Sequence, residues 1–214
     1  INVLGQTLED RLSEPLEWVD REVIRPVDDP VSPQGGLIAL TGNIAPQGAV
    51  FKRAAATPSL FESEGRAVVF DSLADLADRV DDPALDIAEG DIMVLKNAGP
   101  IAAGMPEAGY LPIPKKLARA GVKDIVRISD ARMSGTAFGT VVLHIAPEAG
   151  LGGPLAAVQT GDVIRLSVEK KRIDLLADDA EIARRMADHA PPPSPPRGYR
   201  GLYARIVTQA PEGC

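Results

Sequence analysis

Ile125-Val126-Arg127-Ile128, Ser129-Asp130-Ala131-Arg132-Met133-Ser134-Gly135-Thr136-Ala137-Phe138-Gly139, Thr140-Val141-Val142-Leu143-His144-Ile145: two β-branched runs flank a segment of small, hydroxyl and charged residues. The runs, Ile125 to Ile128 and Val141 to Ile145, read as short buried strands, and the segment between them as a loop leaving a strand end. Sheets and barrels concentrate their chemistry at such ends. Gly135 lets the chain turn sharply beside Ser134 and lets a ligand approach closely. Taken alone, a Ser-Gly pair is a turn first and a site second.

Outward from this stretch, further strands are spaced irregularly. Leu37–Leu40, Ala67–Phe70 and Asp91–Leu95 are short apolar runs. Val163 to Lys170 alternates, with Ile164, Leu166 and Val168 opposing Val163, Arg165, Ser167 and Glu169, and Ile173–Leu176 is placed to pair back with it. Helices are expected over Thr7–Ser13, over Leu73–Val80 behind the cap Asp71-Ser72, over Pro114–Ala120, and over Ala180–His189 behind Asp178-Asp179. A final helix over Gly198–Gln209 would put Leu202, Ile206 and Tyr199 on one face. Strands outnumber helices without strict βαβ alternation. The reading is an α/β fold built on a closed or nearly closed mixed β-barrel flanked by helices. Residues 1–34 read as an N-terminal arm, 35–190 as the barrel domain, and 191–214 as a Pro-rich linker, with five prolines in 191–196, followed by the last helix.

Composition narrows the function classes. The 214 residues are 45% hydrophobic and 25% charged, an ordinary globular balance. A net charge of −7 argues against a nucleic-acid surface or an anionic membrane patch, and no run approaches transmembrane length. The one cysteine, Cys214, excludes a disulfide framework within the chain and points to a reducing compartment, the cytoplasm. The first residue is Ile rather than Met and no signal peptide is visible, so the chain reads as a fragment of something longer.

Candidate chemistry is sparse. No phosphate loop and no GxGxxG after a strand is present. Ser134 lacks the glycine at 132 that a hydrolase elbow requires. His144, in an apolar strand, reads as a satisfied core histidine, and His189 as a helix-end residue. Glu107, on a Gly/Pro-rich stretch, has the hard oxygen that Mg²⁺ prefers, but one carboxylate is not a metal site. Its twin Glu148 repeats the tetrapeptide Pro-Glu-Ala-Gly, so the tetrapeptide means little and both read as solvated. Lys96, Lys115 and Lys116 read as solvated too. Arg132, beside Ser134, is the cation best placed for an anionic substrate.

Three segments together resemble the C-terminal domain of the dihydroxy-acid dehydratase / 6-phosphogluconate dehydratase family. They are Gly36-Leu37 through Gly42-Asn43-Ile44-Ala45-Pro46-Gln47-Gly48-Ala49-Val50, Gly90-Asp91-Ile92 to Gly109, and Ile128 to Gly139. Val23-Ile24-Arg25-Pro26 and the closing Gln209-Ala210-Pro211-Glu212-Gly213-Cys214 fit as well. The wording Ser-Asp-Ala-Arg-Met-Ser-Gly-Thr is more similar to the sugar-acid branch, the arabinonate and xylonate dehydratases, than to the branched-chain amino-acid enzyme. The resemblance implies a swivelling β/β/α domain. It also implies a larger N-terminal domain, absent from this chain, that carries the cysteines of a [2Fe–2S] cluster and most Mg²⁺ ligands. This sequence stops just short of the family's usual end.

Carried over by the motif, Ser134 matches the base, acting as an alkoxide. Thr136 matches a supporting hydroxyl, and Glu107 the one Mg²⁺ ligand from this domain. Removing a proton α to a carboxylate needs a strong base close to that carbon, and a serine serves only where nearby positive charge lowers its pKa. The implied reaction converts a sugar acid into a 2-keto-3-deoxy acid. Partners would be that substrate, the N-terminal domain and further copies of the same protein. One departure stands out: the family's longer Gly-rich stretch after Gly99-Pro100 is reduced here to Ile101-Ala102-Ala103, which bears on substrate fit and metal geometry. Two further readings from other classes are a stand-alone swivelling domain that binds without chemistry and a serine hydrolase. Dihydroxy-acid dehydration is the alternative within the family.

Overall fold

The computed structural model describes residues 1–13, 19–104, 111–135, 138–193 and 195–214. They form two compact units, 1–35 and 36–214. In the first, Thr7 caps the short helix α1 (Leu8–Leu12). Its hydroxyl accepts from the Asp10 N–H while the Asp10 carboxylate accepts from the Thr7 N–H, a reciprocal box that satisfies end donors.

The second unit is a closed eight-stranded barrel in the order β1-β2-β6-β5-β4-β3-β7-β8. Its strands are β1 (Ile38–Gly42), β2 (Ala45–Phe51), β3 (Glu62–Phe70), β4 (Ile92–Leu95), β5 (Arg127–Ser129), β6 (Val141–Ala146), β7 (Val163–Ser167) and β8 (Arg172–Leu175). The run β3-β4-β5-β6 is parallel throughout. β1-β2, β2-β6, β3-β7 and β7-β8 are antiparallel, and one parallel pairing, Thr41 with Arg172, closes the ring. Gly42 lies at this seam. A Cβ there would stand 1.7 Å from the Ile173 carbonyl oxygen, so only glycine lets the two backbones meet.

Parallel strands are covered on both faces and read as continuous apolar runs. In Ile92-Met93-Val94-Leu95 every residue is buried. Ile92 and Val94 join Leu40, Phe51, Val69, Ile128, Val142, Ile164 and Ile173 in a cluster drawn from all eight strands. Met93 and Leu95 join Val68, Phe70 and Leu143 in a second cluster beneath α2 (Leu73–Arg79) and α4 (Lys115–Arg119), which contribute Leu76 and Leu117. Ser72 caps α2 by accepting from the Asp75 N–H. On α5 (Asp179–Asp188) the expected Asp178 cap makes no side-chain capping bond. Arg185 instead ties that helix to Asp162 at 2.6 Å and, within the helix, pairs with Glu181 one turn earlier at 2.7 Å.

Four elements depart from the sequence expectation. β2 carries Pro46 and Gly48, which mask a strand, yet it pairs on both sides. β3 starts five residues before Ala67, because the polar Glu62–Arg66 pairs with β7 as a two-stranded extension. The outward alternation of β7 stops at Ser167, which is buried and accepts from the Lys170 N–H at the turn into β8. The last helix, α6 (Gly198–Ile206), ends before Gln209. It turns Gly201 inward, where a Cβ would come within 2.8 Å of the Pro195 carbonyl, and leaves Tyr199, Leu202 and Ile206 exposed. Among the described residues no helix is long and apolar enough to cross a membrane.

Candidate active site

Because β3, β4, β5 and β6 run parallel, their outgoing chains all leave from one end of the barrel, with Leu95 directly opposite Ser129. That end collects polar side chains: Asp71 after β3, Lys96 and Asn97 after β4, Asp130 after β5 and Glu148 after β6. Ends of parallel strands are where such folds place ligands.

The described residues between Asp130 and Thr140 are fastened at several points. At its start, the Asp130 carboxylate accepts from Ala98 N–H at 2.8 Å and Ala149 N–H at 2.9 Å, joining the exits of β4, β5 and β6. In the middle, Met133 N–H donates to His144 Nε2 at 2.7 Å, and Lys52 Nζ donates to the Gly135 carbonyl at 2.6 Å. At its end, the buried Asp124 accepts from the N–H and Oγ1 of Thr140, from Thr57 Oγ1 and from Arg127, whose guanidinium also donates to the Phe138 carbonyl at 3.0 Å. Gly139 has a φ of +93°, and a Cβ there would sit 2.0 Å from the Arg127 guanidinium. Burial of Arg127 lowers its pKa, against the opposing pull of Asp124.

Ser134 therefore stands between two anchored neighbours, Met133 and Gly135. It is 8% exposed, while Arg132 and Gly135 on either side are exposed, so it lies just beneath the surface. Thr136 and Glu107 fall outside the described residues. The departure at Ile101-Ala102-Ala103 forms a short helix, α3 (Pro100–Ala103), whose Ile101 and Ala102 N–H groups donate to Glu148.

Several polar residues differ from their expected roles. Glu148 is not solvated: it is fully buried and also accepts from Gln209 Nε2 at 2.7 Å, while its own N–H donates to Gln209 Oε1 at 2.9 Å. Gly99 makes room for it, since a Cβ there would come within 2.4 Å of Glu148 Oε2. Lys96 is buried, donating to the Ala156 carbonyl at 3.0 Å and facing Asp71 at 3.7 Å; burial lowers its pKa and Asp71 partly restores it. His144 is only half-buried and has a φ of +55°, so it is not an ordinary core histidine. Burial lowers its pKa, and the charge of Arg132 adds to this.

Asp130 has the largest consequence for pH. Burial pushes its carboxyl up to about 6 and nearby Glu148 adds to this, against backbone donors, those of Ala98 and Ala149 first, that favour the charged form. A folded-state pKa above the unfolded value of 3.8 means that the native state holds the proton more tightly. The stabilisation is fully present below about pH 4 and is lost as pH rises through about 6. In urea unfolding, the stability of wild type minus that of Asp130→Asn is expected to fall by about 2–3 kcal/mol between about pH 4 and 7. A difference that is constant or grows with pH contradicts this assignment.

The family model described as dihydroxy-acid/6-phosphogluconate dehydratase C-terminal matches residues 22–214. The chain belongs to this dehydratase family. It is 50% identical over 222 residues to an L-arabonate dehydratase of Azospirillum brasilense, covering 100% of this chain and 38% of that protein. It is 50% identical over 200 residues to a 6-deoxy-6-sulfo-D-gluconate dehydratase of Pseudomonas putida, covering 91% and 34%. A dihydroxy-acid dehydratase of Acetivibrio thermocellus is 37% identical over 222 residues, covering 100% and 38%. The chain thus spans little more than a third of the length of these curated relatives. Among the described residues of this dehydratase-family domain, no group of three or more His, Cys, Asp or Glu is placed to hold a metal ion, and the only cysteine is the exposed Cys214. The described residues do not by themselves fit a metal or cluster site.

Proposed function

We propose that this chain is the C-terminal domain of a sugar-acid dehydratase, a hydro-lyase that converts an aldonate into a 2-keto-3-deoxy acid. One observation carries the reading: Ser134 lies between Met133 and Gly135, each held by a hydrogen bond to another element, on the segment that leaves β5 at the shared exit of four parallel strands. Fixed geometry is what a proton-transfer group needs. Ser134 Oγ takes the C2 proton, the electron pair forms the C2–C3 double bond, and the C3 hydroxyl leaves with a proton as water. The enol then becomes the 2-keto acid. Thr136 supports the Ser134 oxygen, and Arg132 attracts the substrate carboxylate. Glu107 is this domain's one ligand to Mg²⁺. The remaining Mg²⁺ ligands and the [2Fe–2S] cluster belong, in this proposal, to a longer protein's N-terminal domain, and no step here is routed through them. We place that protein in the cytoplasm as a homo-oligomer.

The sugar-acid branch is favoured over dihydroxy-acid dehydration by identities of 50% against 37%. The test is a substrate panel on the full-length protein, reading 2-keto acid formation. Pentonates and hexonates are expected to exceed 2,3-dihydroxy-3-methylbutanoate in kcat/KM by about a hundredfold or more, the discrimination given by a site built to bind extra hydroxyls. Preference for the branched substrate, or no dehydration of either class, overturns the assignment.

A further inference from the structure

We infer that His144 is a positioning residue for Ser134, gripping the approach to it, Ala131 to Met133, from a bulge in the neighbouring strand. The inference rests on the dehydratase reading and goes beyond it. β6 contains one residue more than its partner across the bulge: Gly48 pairs with Ala146 and Val50 with Leu143, so two steps on β2 face three on β6. His144 lies in that interval with a φ of +55°, a conformation that non-glycine residues adopt rarely. Bulges re-aim side chains, and they gather beside active sites. Here the bulge delivers two contacts to one short segment. His144 N–H donates to the Ala131 carbonyl at 2.9 Å, and His144 Nε2 accepts from Met133 N–H at 2.7 Å. Ser134 is the next residue.

The second contact fixes the chemistry of the ring. A nitrogen that accepts carries no proton, so the imidazole is neutral with its hydrogen on Nδ1. Both a lowered pKa from burial and the nearby Arg132 charge favour that neutral form. Asp130 anchors the same loop from its other side through Ala98 and Ala149, so the serine's approach is held against β6 and its base against β4. An ordinary core histidine would need neither the positive φ nor an acceptor aimed at a loop backbone.

The test uses full-length protein in three variants. His144→Gly keeps the φ without strain and removes the acceptor. His144→Gln offers an amide oxygen near the position of Nε2 and cannot titrate near neutrality. Ser134→Ala removes the base. His144→Gly is expected to lower kcat about 10- to 100-fold, the effect of a small misplacement of a reacting group, while substrate KM and Mg²⁺ half-saturation change less than about threefold. His144→Gln is expected to recover most of kcat. In the Ser134→Ala background, His144→Gly should add no further loss, because residues that act as one unit are not additive. Wild-type kcat in His144→Gly, with Ser134→Ala inactive, overturns the positioning role and leaves the base assignment standing. Parallel losses of kcat, metal affinity and folding that Gln does not restore overturn it in favour of a structural role. Normal turnover by Ser134→Ala overturns both.

Discussion

In the full-length dehydratase, Ser134→Ala is expected to lower kcat by about a thousand- to ten-thousandfold, the range for loss of a general base. The protein should retain its fold. The substitution removes one hydroxyl, a change worth about 1 kcal/mol in a typical case. The loop has anchors besides that hydroxyl, because Met133, Gly135, Phe138, Gly139 and Thr140 are each held by backbone contacts to other elements. The reading is the rate of 2-keto acid formation against thermal unfolding of the same preparation. Activity within tenfold of wild type removes Ser134 from the chemistry. Ser134 is 8% exposed, and burial disfavours a charged oxygen. A serine in such surroundings becomes a base only when positive charge is brought against it, which is why the activity is assigned to the longer protein.

The largest effect on stability is expected at Asp124. Its carboxylate is 5% exposed and receives donors from Thr57, Thr140 and Arg127, tying the segment before β3, the end of the serine loop and the start of β5 together. Arg127 is itself buried, with a side chain 9% exposed. Asp124→Ala would leave that guanidinium without its carboxylate and three hydroxyl or amide donors without an acceptor. Breaking a buried pair from one side costs about 3–5 kcal/mol. For a unit of this size each kcal/mol lowers Tm by about 2–4 °C, so a fall of roughly 6–20 °C is expected in a thermal melt. Replacing both partners, Asp124→Leu with Arg127→Met, should be milder than Asp124→Ala alone. A double variant as unstable as the single one, or a single variant that melts with wild type, contradicts the account of this node.

Much of the barrel was legible because its strands are parallel and buried: Ile92–Leu95 announces itself by unbroken apolar composition, and Val141–Ile145 by an apolar run broken only at His144. β2 was hidden by Pro46 and Gly48, and the outer half of β3 by its charges, since both depend on partners rather than on their own pattern. Ser134, Thr136, Glu107 and Arg132 came from motif and chemistry. The residues that brace the loop did not. Glu148 meets Ile101 across 47 positions and Gln209 across 61, and Asp124 meets Thr57 across 67. Nothing local distinguishes such carboxylates from solvated ones. Prolines and glycines around Pro147 and Gly99 in fact favoured the solvated reading. His144 was misread for the same reason: its apolar neighbours are visible in the sequence, but the bulge that turns its ring toward Met133 is not.

The fate of the C2 hydrogen addresses the core of the account. The full-length protein and its Ser134→Ala variant, loaded with metal to the same extent, would be given L-arabinonate deuterated at C2, with loss of label followed by NMR. Wild type is expected to release the deuterium as product forms, with a primary isotope effect, and Ser134→Ala to leave the label in place over the same number of enzyme equivalents. Release of the label by Ser134→Ala at the wild-type rate would contradict the assignment of Ser134 as the group that takes the proton.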